Sequence, residues 1–145
     1  TVLRIAFAYL KNMSEAEDVY QEVFLKFLEE LTLFESGEHE KAWLIRVTIN
    51  LCKNRLKSFW RNRIFALQED ISFETEDILG GIDVFNAVMT LKTKHRTVIH
   101  LFYYEEYTTS EISKLTGWSE NDVRTSLHRA RKILSDKLEG VVFND

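Results

Sequence analysis

The chain has no proline, one cysteine, five glycines and no apolar run of membrane-spanning length. Each shortage excludes something. One cysteine rules out an internal disulfide, and with no secretory signal in view the expected compartment is a reducing cytoplasm. No stretch approaches the roughly 18 consecutive apolar residues of a membrane helix. Strand-like alternation, hairpin dipeptides and solenoid-period repeats are all missing, and so few helix breakers favour an all-helical chain. His39, His95, His100 and His128 have no metal-ligand spacing with Cys52 or with one another, and no glycine-rich phosphate loop occurs. Neither a metal, nor a cofactor, nor catalysis is expected.

What remains is 145 residues, 45% hydrophobic and 12% aromatic, enough to bury one core or two small ones. The formal net charge of -4 hides strong segregation. Residues 15 to 40 carry nine acids against one lysine, residues 41 to 63 seven Lys or Arg with no acid, and residues 65 to 83 six acids with no base. Such blocks suit different partners: a basic stretch can follow a polyanion while an acidic one meets a basic protein surface.

Thr1 to Lys11 reads as the tail of a truncated apolar-faced helix, in a chain that starts without methionine. Next, Ser14 and Glu17 form a candidate capping box, and Val19, Val23, Leu25, Phe27, Leu28 and Leu31 a candidate buried stripe. The opposite face is acidic. Residues 34 to 40, FESGEHE, read as a loop. The segment from Lys41 to Arg63 then combines an expected buried face of Trp43, Leu44, Val47, Leu51 and Phe59 with Arg46, Asn50, Lys53, Asn54, Arg55 and Lys57 between them. Asn50 and Asn54 are one helical turn apart and point the same way. An asparagine amide donates and accepts at once, and nearby aromatics can stack on unpaired bases, a combination suited to single-stranded nucleic acid. Against this, Trp43 and Trp60 have the plainer reading of core residues, since aromatic rings at helical spacing usually pack inside.

Residues 65 to 83 have no apolar period, six acids and a Gly-Gly pair, and read as a flexible acidic linker between domains 1–64 and 84–145. Val84, Val88 and Leu91 suggest a short helix, and Val98, Ile99, Leu101, Phe102 and Tyr103 another whose apolar side closes over the C-terminal helices. The stretch from Thr108 to Leu138 reads as a helix-turn-helix. Thr108 and Glu111 make a capping box, Gly117 supplies a positive φ, and Ser119 caps a longer helix with Val123, Leu127, Ala130 and Leu134 on its buried face. The other face presents Arg124, Thr125, His128, Arg129, Arg131 and Lys132. A recognition helix needs donors for base edges flanked by cations for phosphates. The bland alternative is an amphipathic core helix with a solvated basic face. The expected fold class is therefore all-α: two small helical domains on a flexible acidic linker, the second holding a helix-turn-helix.

In this order, the segments SEAEDVYQEVFLKFL, HEKAWLIRVTINLCKNRLKS, TVIHLFYYEEYTTSEISKLTG and VRTSLHRARKIL give a chain that resembles the extracytoplasmic-function sigma factors of bacterial RNA polymerase. The resemblance implies that Asp18, Gln21, Glu22 and Phe24 meet the clamp helices of the polymerase's largest subunit. It implies that residues 34 to 40 hold a flipped base of the melted minus-10 strand, with Trp43, Arg46, Asn50, Asn54 and Lys57 along that strand. Arg124, Thr125, His128 and Arg129 match the family's major-groove face at the minus-35 element, with Arg131 and Lys132 on phosphates. The implied partners are core polymerase, through clamp and flap, promoter DNA, and an anti-sigma factor, through which alone any membrane contact would come. The linker would thread toward the RNA exit channel. Two departures stand out: Lys92 where many members open a helix with proline, and a first helix shorter than the family's. The competing readings are a stand-alone repressor or activator that binds duplex DNA, and an adaptor that binds no DNA.

Overall fold

The structure is a computed structural model that describes residues 1–30, 34–62 and 81–138. It divides into two compact units, Thr1–Asp70 and Ile71–Asp145, and every regular element among the described residues is helical. Residues 65–80 of the expected linker, and Leu31, lie outside the described residues, as do the side chains of Phe59 and Trp60.

The first unit holds α1 (Val2–Leu10), α2 (Met13–Glu30) and α3 (Gly37–Asn62), with α1 packed on both of the others. Lys11 ends α1 in the left-handed conformation, φ 55°, and its N–H donates to the Phe7 carbonyl at 2.8 Å. The next residue starts α2, because the Asn12 side chain accepts from the Glu15 N–H at 3.0 Å. The cap is therefore Asn12 and not the Ser14–Glu17 box, since the left-handed stop at Lys11 lets the chain re-enter helix at once.

On α2 the buried stripe is Ala16, Val19 and Val23. Leu25 and Leu28, expected inside, are 61% and 49% exposed, and Phe27 is half-buried. The helical period explains the miss: residues 25 and 28 fall on the far side from Val19 and Val23.

The buried stripe of α3 also differs from the expected one. Ile45, Thr48, Ile49 and Cys52, at i, i+3, i+4 and i+7, are fully buried, whereas Trp43, Leu44, Val47 and Leu51 are only half-buried. Thr48 concealed this stripe because a threonine counts as polar in a hydropathy pattern. Its hydroxyl donates to the Leu44 carbonyl at 2.6 Å, so the group is satisfied within the helix and only its methyl faces the core. Nor do residues 34 to 40 all form a loop. Ser36 accepts from the His39 N–H at 3.1 Å, and the His39 ring accepts from the Glu35 N–H at 3.3 Å. Ser36 thus caps α3, with the His39 ring accepting from the residue before the cap, and the helix starts four residues before Lys41.

The second unit holds α4 (Gly81–Met89), α5 (Thr93–Ile99), a π-helical turn continuing it (His100–Tyr104), α6 (Thr109–Thr116) and α7 (Glu120–Lys137). Helix α4 begins three residues inside the expected linker. Its Val84 is exposed and Val88 half-buried, while Ala87, Met89 and Leu91 are buried. Val98, Ile99 and Leu101 are core as expected. Phe102 and Tyr103 are not, because the π turn inserts a residue into the ladder and swings them off the buried face.

The helix-turn-helix forms as its sequence specifies. Thr108 and Glu111 make the reciprocal box, Gly117 sits at φ 82°, and Ser119 accepts from the Asp122 N–H at 3.1 Å. Val123, Leu127, Ala130 and Leu134 are buried, joined by Ser126, and α7 packs on α4, α5 and α6. A Cβ added at Gly117 meets nothing within 4 Å. Gly117→Ala should therefore cost only the left-handed strain, about 1 to 2 kcal/mol. Denaturant unfolding followed in the second unit would measure that loss, and an unchanged midpoint would contradict it.

Candidate nucleic-acid interface

Two helices carry the candidate contacts, one in each unit. Along α3, Trp43, Arg46, Asn50, Asn54 and Lys57 recur at helical spacing on one side; Trp43 is half-buried and the other four are exposed. They flank a groove between α2 and α3 of about 350 Å³, lined by Lys26, Glu29 and Glu30 of α2 and by Trp43, Val47, Asn50, Leu51 and Asn54 of α3. Aromatic packing fixes the Trp43 ring: Phe34 stands 5.4 Å from it, edge to face, and Phe27 6.4 Å. Phe34 also stacks on Phe27 at 5.8 Å and meets His39 at 5.6 Å. The indole thus serves as half core and half groove wall. The three α2 residues of the groove escaped the sequence reading, since only the fold brings them to α3, whereas Phe34 belongs to the segment 34 to 40 expected to hold a flipped base.

Arg55, read from sequence as one of the exposed bases, faces α2 instead. It donates to Glu15 and lies 3.9 Å from Asp18 and 3.7 Å from Glu22. Asp18, Gln21, Glu22 and Phe24 are all exposed on α2, beside Tyr20, Leu25 and Leu28. Cys52 sits beneath this arrangement fully buried; burial pushes its thiol up to about 12 against the opposing pull of Arg55, so it is no nucleophile.

On α7, Arg124, His128, Arg129 and Lys132 are exposed and Thr125 half-buried, together forming one basic face. Arg124 lies 3.5 Å from Glu120 one turn earlier. Arg131 stands apart. Its Nε donates to the Tyr103 hydroxyl at 2.6 Å, and its guanidinium lies 5.2 Å from the Phe102 ring and 5.5 Å from the Tyr103 ring. The π turn that removed these two rings from the core places them against α7. A second basic group borders the face. Lys94 pairs with Asp122 at 2.7 Å and lies over Trp118. His95 is held below its ordinary pKa, first by burial and then by Lys92, Arg129 and Lys94. Among the described residues no cluster of His, Cys, Asp and Glu could hold a metal ion, and no helix is long and apolar enough to cross a membrane.

Residues 1–62 match the Sigma-70 region 2 family and residues 83–134 the Sigma-70 region 4 family. The ECF RNA polymerase sigma factor SigW of Bacillus subtilis is 25% identical over 154 residues, spanning 94% of this chain and 82% of its own length. The chain belongs to the extracytoplasmic-function sigma factors. A sigma factor of this group directs promoter-specific transcription by RNA polymerase, and the family is not one of enzymes. The RNA polymerase sigma factor SigV of Bacillus subtilis is 29% identical over 137 residues, covering 93% of this sigma factor and 82% of that one. Among solved structures, the sigma factor RpoE of Bartonella quintana, in complex with the anti-sigma factor NepR, superposes with a TM-score of 0.70 at 22% identity over 97% of this chain and 91% of that one. That likeness is one of fold.

Proposed function

We propose that the two helices divide promoter reading between them, α7 on minus-35 duplex and α3 on the melted minus-10 strand, with α2 on the polymerase. The observation that carries this reading is the α2–α3 groove, where a fixed indole and two asparagines one turn apart share a wall. Unstacking a base costs a few kcal/mol, and stacking on an aromatic returns about 1 to 3 kcal/mol per base. Trp43 and Phe34 supply the apolar surface, Asn50 and Asn54 the base-edge hydrogen bonds, and Arg46 and Lys57 the charge that follows the backbone. A stand-alone duplex-binding repressor has no use for such a groove. The chemistry of RNA synthesis belongs to the polymerase, and the protein acts in the cytoplasm.

On α7, Arg124, Thr125, His128 and Arg129 face base edges and Lys132 a phosphate. Arg131 braces the helix on Phe102 and Tyr103, which leaves the phosphate role mainly to Lys132. Asp18, Gln21, Glu22 and Phe24 meet core polymerase at the clamp helices of its largest subunit. An anti-sigma factor would hold the protein inactive by covering these same surfaces.

Run-off transcription with core polymerase over a promoter library tests the proposal. A core-dependent transcript is expected, with little duplex binding by the protein alone. Tight, specific duplex binding without polymerase and no transcript would favour the repressor. Within α7, Arg129→Ala should cost about 1 to 3 kcal/mol at one base pair, whereas Lys132→Ala should weaken every sequence alike and flatten the salt dependence. Titrations of the holoenzyme on single-base promoter variants at two salt concentrations separate the two patterns.

A further inference from the structure

We propose that Arg55 is a positioning residue for polymerase binding: from α3 it holds Asp18 and Glu22 of α2 in the arrangement that the polymerase meets. Glu15, Asp18 and Glu22 recur at i, i+3 and i+7, so their carboxylates lie along one side of α2 and, left alone, repel one another. The Arg55 guanidinium is inserted among them. Its hydrogen bond goes to Glu15, the most enclosed of the three, while Asp18 at 3.9 Å and Glu22 at 3.7 Å are held only by charge. Their side chains stay 56% and 49% exposed. One guanidinium facing three carboxylates leaves the strip anionic. Arg55 therefore steers these acids without saturating them, and their outer faces stay open to a cationic partner.

The planar fork of arginine suits this task, because it reaches several carboxylates at once where a lysine offers a single point charge. The neighbouring residue on α3 is Asn54, at the edge of the groove. One turn of α3 thus touches both surfaces, and the contact sets the acids of α2 relative to the wall that takes the melted strand. Ordering flexible side chains before association lowers the cost of binding.

The inference rests on the reading of the α2 acids as polymerase contacts, and a mutant cycle on the full chain with core RNA polymerase tests both. Asp18→Asn with Glu22→Gln should weaken core binding. Arg55→Gln should raise the Kd about three- to ten-fold in the native background. In the Asp18→Asn, Glu22→Gln background the same change should have an effect of less than about two-fold, since nothing is left to position. Arg55→Lys keeps the charge beside Glu15, so it should melt close to the parent yet bind core more weakly; it serves if the glutamine variant fails to fold. Equal losses in both backgrounds would make Arg55 merely structural and overturn the proposal, as would unchanged or tighter binding by Arg55→Lys. If Asp18→Asn with Glu22→Gln leaves the Kd unchanged, the α2 reading itself falls and takes the proposal with it.

Discussion

Core polymerase should bind the protein at least about 100-fold more weakly when Phe24 and Leu28 are both replaced by Ala, with no loss of thermal stability. Both side chains are 49% exposed, on a helix that also exposes Tyr20 and Leu25. A small helical unit gains nothing by showing water so much apolar surface on one helix, and contiguous exposed patches of this kind mark interaction sites. Buried apolar anchors at the centre of an interface cost about 2 kcal/mol or more each when truncated. Two such losses make roughly three powers of ten at 1.4 kcal/mol per decade, and 100-fold allows for their overlap. Exposed positions away from such roles usually shift stability by no more than about 0.5 kcal/mol. Equilibrium binding to core, paired with a thermal melt, separates the two. Parallel losses in both would make the pair structural, and unchanged binding would remove the face from the interface.

A second large effect is expected from Ile49→Asp. Ile49 is fully buried in α3 between Ile45 and Cys52. A carboxylate there has no partner, and burying one unpaired costs several kcal/mol even after its pKa rises to keep it neutral. That approaches the whole stability of a small domain, about 5 to 15 kcal/mol. The first unit should lose its cooperative melt, and promoter-specific transcription should disappear. The second unit has its own core of Leu101, Ile112, Val123 and Leu134. Duplex binding at low salt should therefore survive. Loss of both activities would mean that the units do not fold independently.

Legibility in the sequence followed how local the determining physics was. The helix-turn-helix came out whole because its signals are short-range: Thr108 with Glu111, Gly117 at a positive φ, Ser119 with Asp122. Helix α3 came out with Arg46, Asn50, Asn54 and Lys57 rightly exposed, Arg55 misplaced and the buried stripe wrong. Asn50 and Asn54 needed only the helical period, whereas the core stripe ran through Thr48, whose polarity is cancelled by a bond to its own helix. The start of α3 was hidden because its cap, Ser36, is followed three residues on by a histidine rather than by the glutamate or glutamine that marks a capping box. Arg55 and Arg131 show the limit from the other side. As sequence they were two more cations in basic stretches. Their partners, Glu15 and Tyr103, lie 40 and 28 positions away, and no periodicity reports such a meeting. The family resemblance supplied a role for Asp18 and Glu22, but not the residue that orders them.

Because the cap at Ser36 starts α3 early, one unbroken helix of 26 residues carries Trp43 to Lys57, the face proposed to read the minus-10 strand. From Trp43 to Lys57 that face measures about 21 Å at 1.5 Å per residue. Along one strand of a duplex the phosphates advance 3.4 Å each, and along an opened strand more, so the rod spans at most about six of them. On the proposed reading the helix is then a ruler as well as a reader: an α-helix cannot stretch to follow a longer element, so its contacts keep fixed separations along the opened strand.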